Sequence, residues 1–134
     1  MRYLLDTNIV SDLIRNPRGS VADRIRQVGE AIVCTSIIVA AELRFGAVKK
    51  DSPRLSAQLE AVLGALDILP FEAPTDAIYC QIRQRLEQAG TMIGGKDLLI
   101  AAQTKARGFT IVTDNEREFG RVDQLPRENW LRGS

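Results

Sequence analysis

The sequence predicts an α/β fold in which a central parallel β-sheet is flanked by helices on both faces, an α/β/α sandwich. Short apolar runs rich in β-branched residues alternate with longer stretches whose apolar residues have helical spacing. Helices of that length suit the crossovers that join parallel strands. Because 134 residues is a usual size for one domain, we expect a single domain over residues 1–132. Gly133 and Ser134 are candidates for a cloning remnant outside it.

The first half of the chain is predicted to contain two strands and four helices. In order they are a strand over 2–5, a helix from 8 that stops at Asn16-Pro17, a helix over 20–28, a strand over 31–35, a helix from Ser36 to about Lys49 and a helix after Pro53 to Leu66. Ser36 suits the N-cap of the third helix. That helix is apolar on nearly every side, so we expect it to be mostly buried.

The second half is predicted to contain three strands and two helices. In order they are a strand over 67–71, a helix opened by Pro74 and closed near Gly90, a loop over 92–95, a helix over 96–107, a strand over 109–112, a turn over 115–119 and a short strand over 129–131. Proline suits the first turn of a helix, and Gly108 suits a helix end.

Composition excludes several classes of function. The formal net charge is only +1, so nucleic-acid binding would need a local basic patch. The chain has no histidine, which excludes a Ser-His-Asp triad, an imidazole base and histidine-ligated zinc. Acid-base chemistry must then come from carboxylates, lysines or bound water.

The sequence also predicts a cytoplasmic protein. No apolar run approaches the roughly 18 residues of a membrane span, and the first residues, with Arg2 and Asp6, do not resemble a signal peptide. Cys34 and Cys80 have neither a paired-thiol nor a metal-site spacing. We expect both to be buried free thiols in a reducing compartment.

Three aspartates stand near predicted helix starts and turns. Asp6 follows the first strand, Asp97 lies near the start of the helix over 96–107, and Asp114 follows the strand over 109–112. Each has a plain structural explanation, because aspartate is common at helix N-caps and turns. Asp6 also closes a strand of the predicted parallel sheet, where ligands bind in open α/β folds.

Glu42 separates the structural explanation from the functional one. It lies in mid-helix among apolar neighbours, too far from Ser36 for a capping box. Its structural explanation is an ion pair with an arginine such as Arg44 or Arg83. We favour the functional explanation, in which Glu42 shares one site with the three aspartates.

Several carboxylates in one crevice require a cation. Two carboxylates about 4 Å apart repel by roughly 4 kcal/mol at an effective dielectric near 20. Oxygen-only ligands select a hard ion, so Mg²⁺ is expected, with Mn²⁺ as a substitute. Such an ion can acidify water and stabilise a phosphate under attack without histidine, which suits phosphoryl transfer.

The neighbours of these acids suit a polyanionic substrate. Thr7 and Thr113 offer hydroxyl groups, and Lys96 and Arg117 offer cationic groups. Charged residues at helix starts and turns are usually only solvated, and that remains the default for the two cations.

Four segments together resemble the PIN domain family, and specifically its VapC toxins. They are Leu5-Asp6-Thr7-Asn8, Ala41-Glu42-Leu43, Lys96-Asp97-Leu98-Leu99-Ile100-Ala101-Ala102 and Ile111-Val112-Thr113-Asp114-Asn115. They occur in order and in suitable elements, and the resemblance covers essentially the whole chain. Arg117-Glu118-Phe119 and Glu128-Asn129-Trp130 resemble the tail of enterobacterial-type VapC proteins.

The resemblance implies a PIN-like fold and a Mg²⁺-dependent endoribonuclease. It also implies a toxin of a type II toxin–antitoxin system, usually a homodimer, that a VapB-type antitoxin silences. Asp6, Glu42 and Asp97 match the three firmest acidic positions of the family and are therefore the predicted metal ligands.

The fourth acidic position stays open. In many PIN domains it falls where this chain has Asn115, with Asp114 one place earlier. Enterobacterial-type VapC proteins also carry asparagine there. We keep Asp114 as the fourth catalytic candidate, with Asn8 and Asn115 as supporting residues.

The leading hypothesis is a toxin that cuts single-stranded RNA, such as the anticodon loop of a tRNA, as similar family members do. The alternative is a weak or inactive PIN-like module that binds RNA or protein, which the displaced fourth acid favours. We discard a flap-type DNA nuclease, because it would need a larger domain with an arch through which the DNA strand is threaded. Trp130 and Phe45 are either exposed contacts for the antitoxin or plain core.

Overall fold

The computed structural model describes residues 2–132 of the chain. Within them lie five strands, β1 (Tyr3–Leu5), β2 (Val33–Ser36), β3 (Asp67–Leu69), β4 (Thr110–Val112) and β5 (Arg127–Glu128). The α-helices of the same residues are α1 (Thr7–Arg15), α2 (Ser20–Val28), α3 (Ile37–Lys50), α4 (Pro53–Ala65), α5 (Thr75–Ala89), α6 (Gly95–Arg107) and α7 (Glu116–Phe119). The predicted remnant at residues 133 and 134 lies outside the described residues.

All the strand pairs are parallel, and the strand order is β3-β2-β1-β4-β5. The connections from β1 to β2 and from β2 to β3 run toward one edge of the sheet, and the later connections run toward the other. Because crossovers between parallel strands are right-handed, the two directions place helices on opposite faces. The predicted α/β/α sandwich is confirmed.

The sheet reverses its winding between β1 and β4, which are neighbours. The amide of Asp6, just after β1, donates to the carbonyl of Val112 at the end of β4 at 2.9 Å. This hydrogen bond keeps the two strand ends side by side. Open α/β sheets form their ligand crevice at such a switch point. The fold therefore places Asp6 and the residues after β4 at one crevice.

Trp130 belongs to the core and is not an exposed contact. It is 0% exposed, and its ring centroid lies 5.2 Å from that of Tyr3. The indole Nε1 donates to Glu128 Oε1 at 2.9 Å, so its polar atom is satisfied although buried. Plain core, one of the two expectations for this residue, is correct.

The expectation that α3 would be mostly buried is wrong. Only Val39, Ala40 and Ala47 of this helix are buried, whereas Phe45 is 64% and Val48 is 73% exposed. The helix contacts α1, α4 and α6 and leaves an apolar strip outward. A helix that is apolar on every side does not reveal from its sequence which of its sides is left uncovered.

Three smaller expectations also differ from the structure. Cys34 is buried but Cys80 is exposed, because Cys80 lies on the outer side of α5. The last strand is β5, not residues 129–131, because Ile111 and Thr113 bond to Pro126 and Glu128. A single helical turn, α7, replaces the turn expected over 115–119. No helix within residues 2–132 is both long and apolar enough to cross a membrane.

Replacing Trp130 by alanine should lower the free energy of unfolding by roughly 3–5 kcal/mol, because it removes a fully buried aromatic side chain. Urea denaturation followed by circular dichroism measures the change. Met92→Ala is the matched control, since Met92 is an exposed apolar side chain and its loss should cost less than about 0.5 kcal/mol. Equal losses in the two variants would contradict the assignment of Trp130 to the core.

Candidate active site

Asp6 is a buried carboxylate held by two hydrogen bonds at the end of β1. Its Oδ1 accepts from the amide of Thr7 at 2.8 Å, so Asp6 does cap α1, and its Oδ2 accepts from the hydroxyl of Thr113 at 2.8 Å. It is 4% exposed. Desolvation raises the pKa of Asp6, the two hydrogen bonds oppose this rise, and the charges of Glu42 and Glu118 add to it.

Asp97 lies in the first turn of α6, where it does not act as the N-cap; that position is taken by Gly94. The Asn115 side-chain amide donates to Asp97 Oδ2 at 2.8 Å. Burial raises the pKa of Asp97 to about 7, and a hydrogen bond to Glu118 and the charges of Asp6 and Glu118 contribute to the rise. Asp97 therefore lies within the electrostatic reach of two other acids.

Glu118 is a further acid of this site, and sequence reasoning missed it. Its Oε1 accepts from the amide of Gly94 at 2.8 Å, and its Oε2 accepts from the Asn115 side chain. The hydrogen bonds with Asp97, Gly94 and Asn115 lower the pKa of Glu118. Asp97 and Glu118 thus share one proton, which resides on Asp97. The available signal was the spacing of three between Asn115 and Glu118, which brings two side chains together on a helical turn.

Glu42 does not pair with an arginine. Arg44 binds Glu60 at 2.9 Å and Arg83 binds Glu87 at 2.9 Å, so both predicted alternatives are occupied elsewhere. Glu42 instead lies 3.5 Å from the ammonium group of Lys96. The carboxylate is about one-quarter exposed and close enough to Asp6 for its charge to raise the Asp6 pKa.

These residues line an open pocket with a volume of about 660 Å³. The predicted residues that line it are Asp6, Thr7, Asn8, Glu42, Lys96, Asp97 and Asn115. Ser11, Gly94 and Gly95 complete the lining, and Thr113 supports Asp6 from behind. The structure therefore brings three distant acids, from β1, α3 and α6, to one place.

The structure does not bring Asp114 and Arg117 to this pocket. The Asp114 carboxylate is turned toward Asn129, which donates to it at 2.9 Å, and lies 3.5 Å from Arg132. Arg117 is exposed, and neither residue is part of the pocket lining. Among the acids after β4, Glu118 is the one that interacts with Asp97, although Glu118 itself does not line the pocket.

The donors of the pocket fit a hard divalent ion. They are carboxylate and amide oxygens, and the raised pKa of Asp97 records a crowding of negative charge that no cation compensates. No group of three or more acidic, cysteine or histidine side chains within residues 2–132 forms a ready-made metal site. Mg²⁺ usually keeps several waters and needs only one or two carboxylates, so an open pocket with few direct ligands is compatible with it.

Comparison with known proteins identifies the family of the chain. The PIN domain family matches residues 3–125. The chain is 36% identical over 131 residues to the tRNA(fMet)-specific endonuclease VapC of Shigella flexneri, covering 97% of this chain and 98% of that protein. It is 37% identical over 132 residues to Ribonuclease VapC2 of Haemophilus influenzae, covering 98% and 99%.

A solved structure gives the same result in three dimensions. VapBC2 from Rickettsia felis, bound to a DNA fragment from its promoter, superposes with a TM-score of 0.90 at 36% identity, over 97% of this chain and 99% of that one. The chain belongs to the PIN domain family. Within that family it groups with the VapC ribonucleases, and it is an endoribonuclease of that kind, the toxin of a VapBC-type pair.

The pKa of Asp97 predicts how stability depends on pH. Its folded pKa is about 7 and its unfolded pKa about 3.9, so the folded state holds the extra proton between these values and loses stability as pH rises through them. In metal-free protein, Asp97→Asn should therefore raise Tm clearly at about pH 8 and little at about pH 5. The lowered pKa of Glu118 affects the stability of the folded state only at lower pH than this range.

Thermal unfolding in the presence of a chelator measures this difference. Asp114→Asn is the matched control, because it removes one charge from an aspartate outside the pocket. A Tm change for Asp97→Asn that is the same at both pH values would show that Asp97 titrates normally.

Proposed function

We propose that the chain is a Mg²⁺-dependent endoribonuclease that cuts single-stranded RNA in the carboxylate pocket, with Mn²⁺ as a substitute for Mg²⁺. The observation that carries the proposal is the convergence of Asp6, Asp97 and Glu118. Burial, the hydrogen bond to Glu118 and the charges of the two neighbouring acids raise the pKa of Asp97 to about 7. Groups whose pKa is shifted by burial and by like charges in a cleft are typical of functional sites. Glu42 adds a fourth carboxylate within the reach of Asp6.

Asp6, Asp97 and Glu42 would hold the ion, with Glu118 as the additional carboxylate beside Asp97. When bound, the ion supplies charge neutralisation at the phosphate and lowers the pKa of water. Asp6 is fixed for this role by Thr7 and Thr113. A carboxylate of the pocket beside that water would accept its proton.

Other residues of the pocket position the acids or face the substrate. Asn115 donates to both Asp97 and Glu118, so one neutral side chain sets the orientation of two carboxylates. Lys96 and Asn8 line the open side and offer donors to a phosphate. An opening of this volume admits a nucleotide that is not paired in a duplex.

The substrate proposal is narrower than the activity. The relative from Shigella flexneri is named as specific for tRNA(fMet), and the identity of 36% extends over nearly the whole chain. We therefore propose the anticodon loop of a tRNA as the target. A PIN-like module that only binds RNA or protein remains the alternative, because Asn115 stands where many PIN domains have an acid.

The partner is proposed to be a VapB-type antitoxin, since solved neighbours of this fold are VapBC complexes. An apolar cleft of about 300 Å³ between α1, α2 and α4 offers it a place; its apolar lining includes Leu13, Ala22, Ile25, Val33, Val62 and Leu66. Two copies of the chain are proposed to form a homodimer through the exposed apolar strip of α3, which contains Ile37, Phe45 and Val48. The proposed location is the cytoplasm, where its RNA substrate is found.

Asp6→Asn should abolish Mg²⁺-dependent RNA cleavage, and Glu118→Gln should lower it by roughly 10–100-fold, because each removes a charge that the ion requires. Asp114→Asn should retain the activity of the unchanged chain, since its carboxylate is bound to Asn129 and Arg132. Cleavage of purified tRNA, resolved on denaturing gels, measures the effect.

Circular dichroism should show that the three variants are folded. Full cleavage by Asp6→Asn would remove the pocket from the mechanism. Tight RNA binding without any product from the unchanged chain, at every Mg²⁺ and Mn²⁺ concentration, would favour the binding module.

Phe45→Asp should convert a homodimer into a monomer, because it places a charge in the centre of the exposed strip of α3. Sedimentation equilibrium measures the mass. Met92→Asp is the control, since Met92 is exposed but does not belong to α3. A dimer that persists in Phe45→Asp would show that the interface does not lie on this strip of α3.

A further inference from the structure

A second cleft shares no lining residue with the active-site pocket and has no role so far. Its volume is about 340 Å³, and α5, the C-terminal part of α6 and residues 121–124 enclose it. The charged residues of its lining are Arg85, Lys105, Arg121 and Asp123. Three cations and one carboxylate give a local charge of +2, in a chain whose formal net charge is only +1.

The cations of the cleft are only weakly neutralised. Lys105 donates to the backbone carbonyl of Asp123 at 3.1 Å, and Arg121 donates to that of Met92 at 2.9 Å. Arg85 lies 3.9 Å from the Asp123 carboxylate, and both side chains are at least 70% exposed, so this contact is worth little. Arg121 also lies near the Glu118 carboxylate, whose pKa its charge helps to lower, so Arg85 and Lys105 are the cations most available to an anion.

The segment over 91–94 and α6 each contribute residues to both the cleft and the active-site pocket. Arg121, in the cleft, donates to the carbonyl of Met92. Two residues later, the amide of Gly94, in the wall of the active site, donates to Glu118. Lys105 lies on the same helix as Asp97, eight residues further along α6, which corresponds to about 12 Å. An RNA strand that left the pocket along α6 would reach these cations.

We propose that this cleft binds a backbone phosphate of the RNA strand, next to the bond that is cleaved, an inference that rests on the proposed function. Arginine and lysine are the main protein contacts of nucleic-acid phosphates, and such contacts set the register of the strand without selecting bases. Gln81, Thr91 and Gln124 complete the lining with neutral groups that can bond to phosphate or ribose oxygens. The cleft would thereby position the scissile bond over the carboxylates.

The test removes two cations that hold no residue of the active site, Arg85 and Lys105. Arg85→Gln/Lys105→Gln is prepared in the Asp6→Asn chain, and a fluorescein-labelled single-stranded RNA of mixed sequence is the probe. Fluorescence anisotropy over a series of salt concentrations should show a Kd weakened on the order of 10-fold near 0.1 M salt. The slope of log Kd against log salt should fall by about 0.7, since the loss of one single-strand phosphate contact contributes about 0.7.

The matched control is Arg18→Gln/Arg26→Gln, which removes the same charge from the turn before α2 and from α2 itself. Neither residue lines the active-site pocket or this cleft. The control should leave both Kd and slope near the values of the parent chain. Equal changes in the two double variants would show a general effect of net charge and would overturn the proposal.

A second measurement separates an RNA site from a site for free phosphate. Sodium phosphate should displace the RNA more strongly than sodium chloride at equal ionic strength, and this difference should be lost in Arg85→Gln/Lys105→Gln. Stabilisation of the chain by phosphate that is lost in this double variant, together with an RNA Kd that the double variant leaves unchanged, would identify a free-phosphate site and overturn the proposal. So would weakened antitoxin binding with unchanged RNA binding, because the cleft would then serve an acidic protein segment.

Cleavage assays keep this inference distinct from the proposed function. With the catalytic acids intact, Arg85→Gln/Lys105→Gln should raise KM several-fold and leave kcat unchanged. If the unchanged chain cleaves RNA and the double variant has the same KM, the proposed phosphate site is wrong and the proposed nuclease activity is supported. If the unchanged chain never cleaves but its RNA binding depends on the cleft, the proposed nuclease activity is wrong and the proposed phosphate site is supported.

Discussion

The functional part of this protein depends on holding like charges together at one end of a parallel sheet. Asp6, Asp97 and Glu118 come from three segments, and burial, the hydrogen bond to Glu118 and the charges of Asp6 and Glu118 raise the pKa of Asp97 to about 7. Neutral hydrogen-bond donors hold these carboxylates in place. The fold tolerates this crowding because the rest of the sheet and α6 form a well-packed core.

Neutral donors explain why the site stays open to a cation. Thr113 and the amide of Thr7 satisfy Asp6, while Asn115 satisfies Asp97 and Glu118. An arginine at any of these places would neutralise the carboxylates permanently. Lys96 pairs with Glu42 at 3.5 Å and is largely exposed, so it can exchange this partner for a phosphate.

The surface divides into regions of different chemistry. The outer strip of α3 and the cleft between α1, α2 and α4 are apolar, which suits protein partners. The cleft beside α5 and α6 is positively charged, which suits a nucleic acid. The proposed RNA contact and the proposed protein contacts therefore use different surfaces of a nearly neutral protein.

The sequence by itself determined the order of strands and helices, the parallel sheet and three of the acids, because period, caps and strand ends are local properties. It also identified Glu42 as unusual, since no local interaction explains a carboxylate in mid-helix. Only the tertiary structure decided that Glu118 and not Asp114 faces Asp97, that α3 is half uncovered and that Trp130 is core. These outcomes depend on which segments pack against each other. Two acids of one short segment, such as Asp114 and Glu118, look alike in the sequence until the directions of their side chains are known.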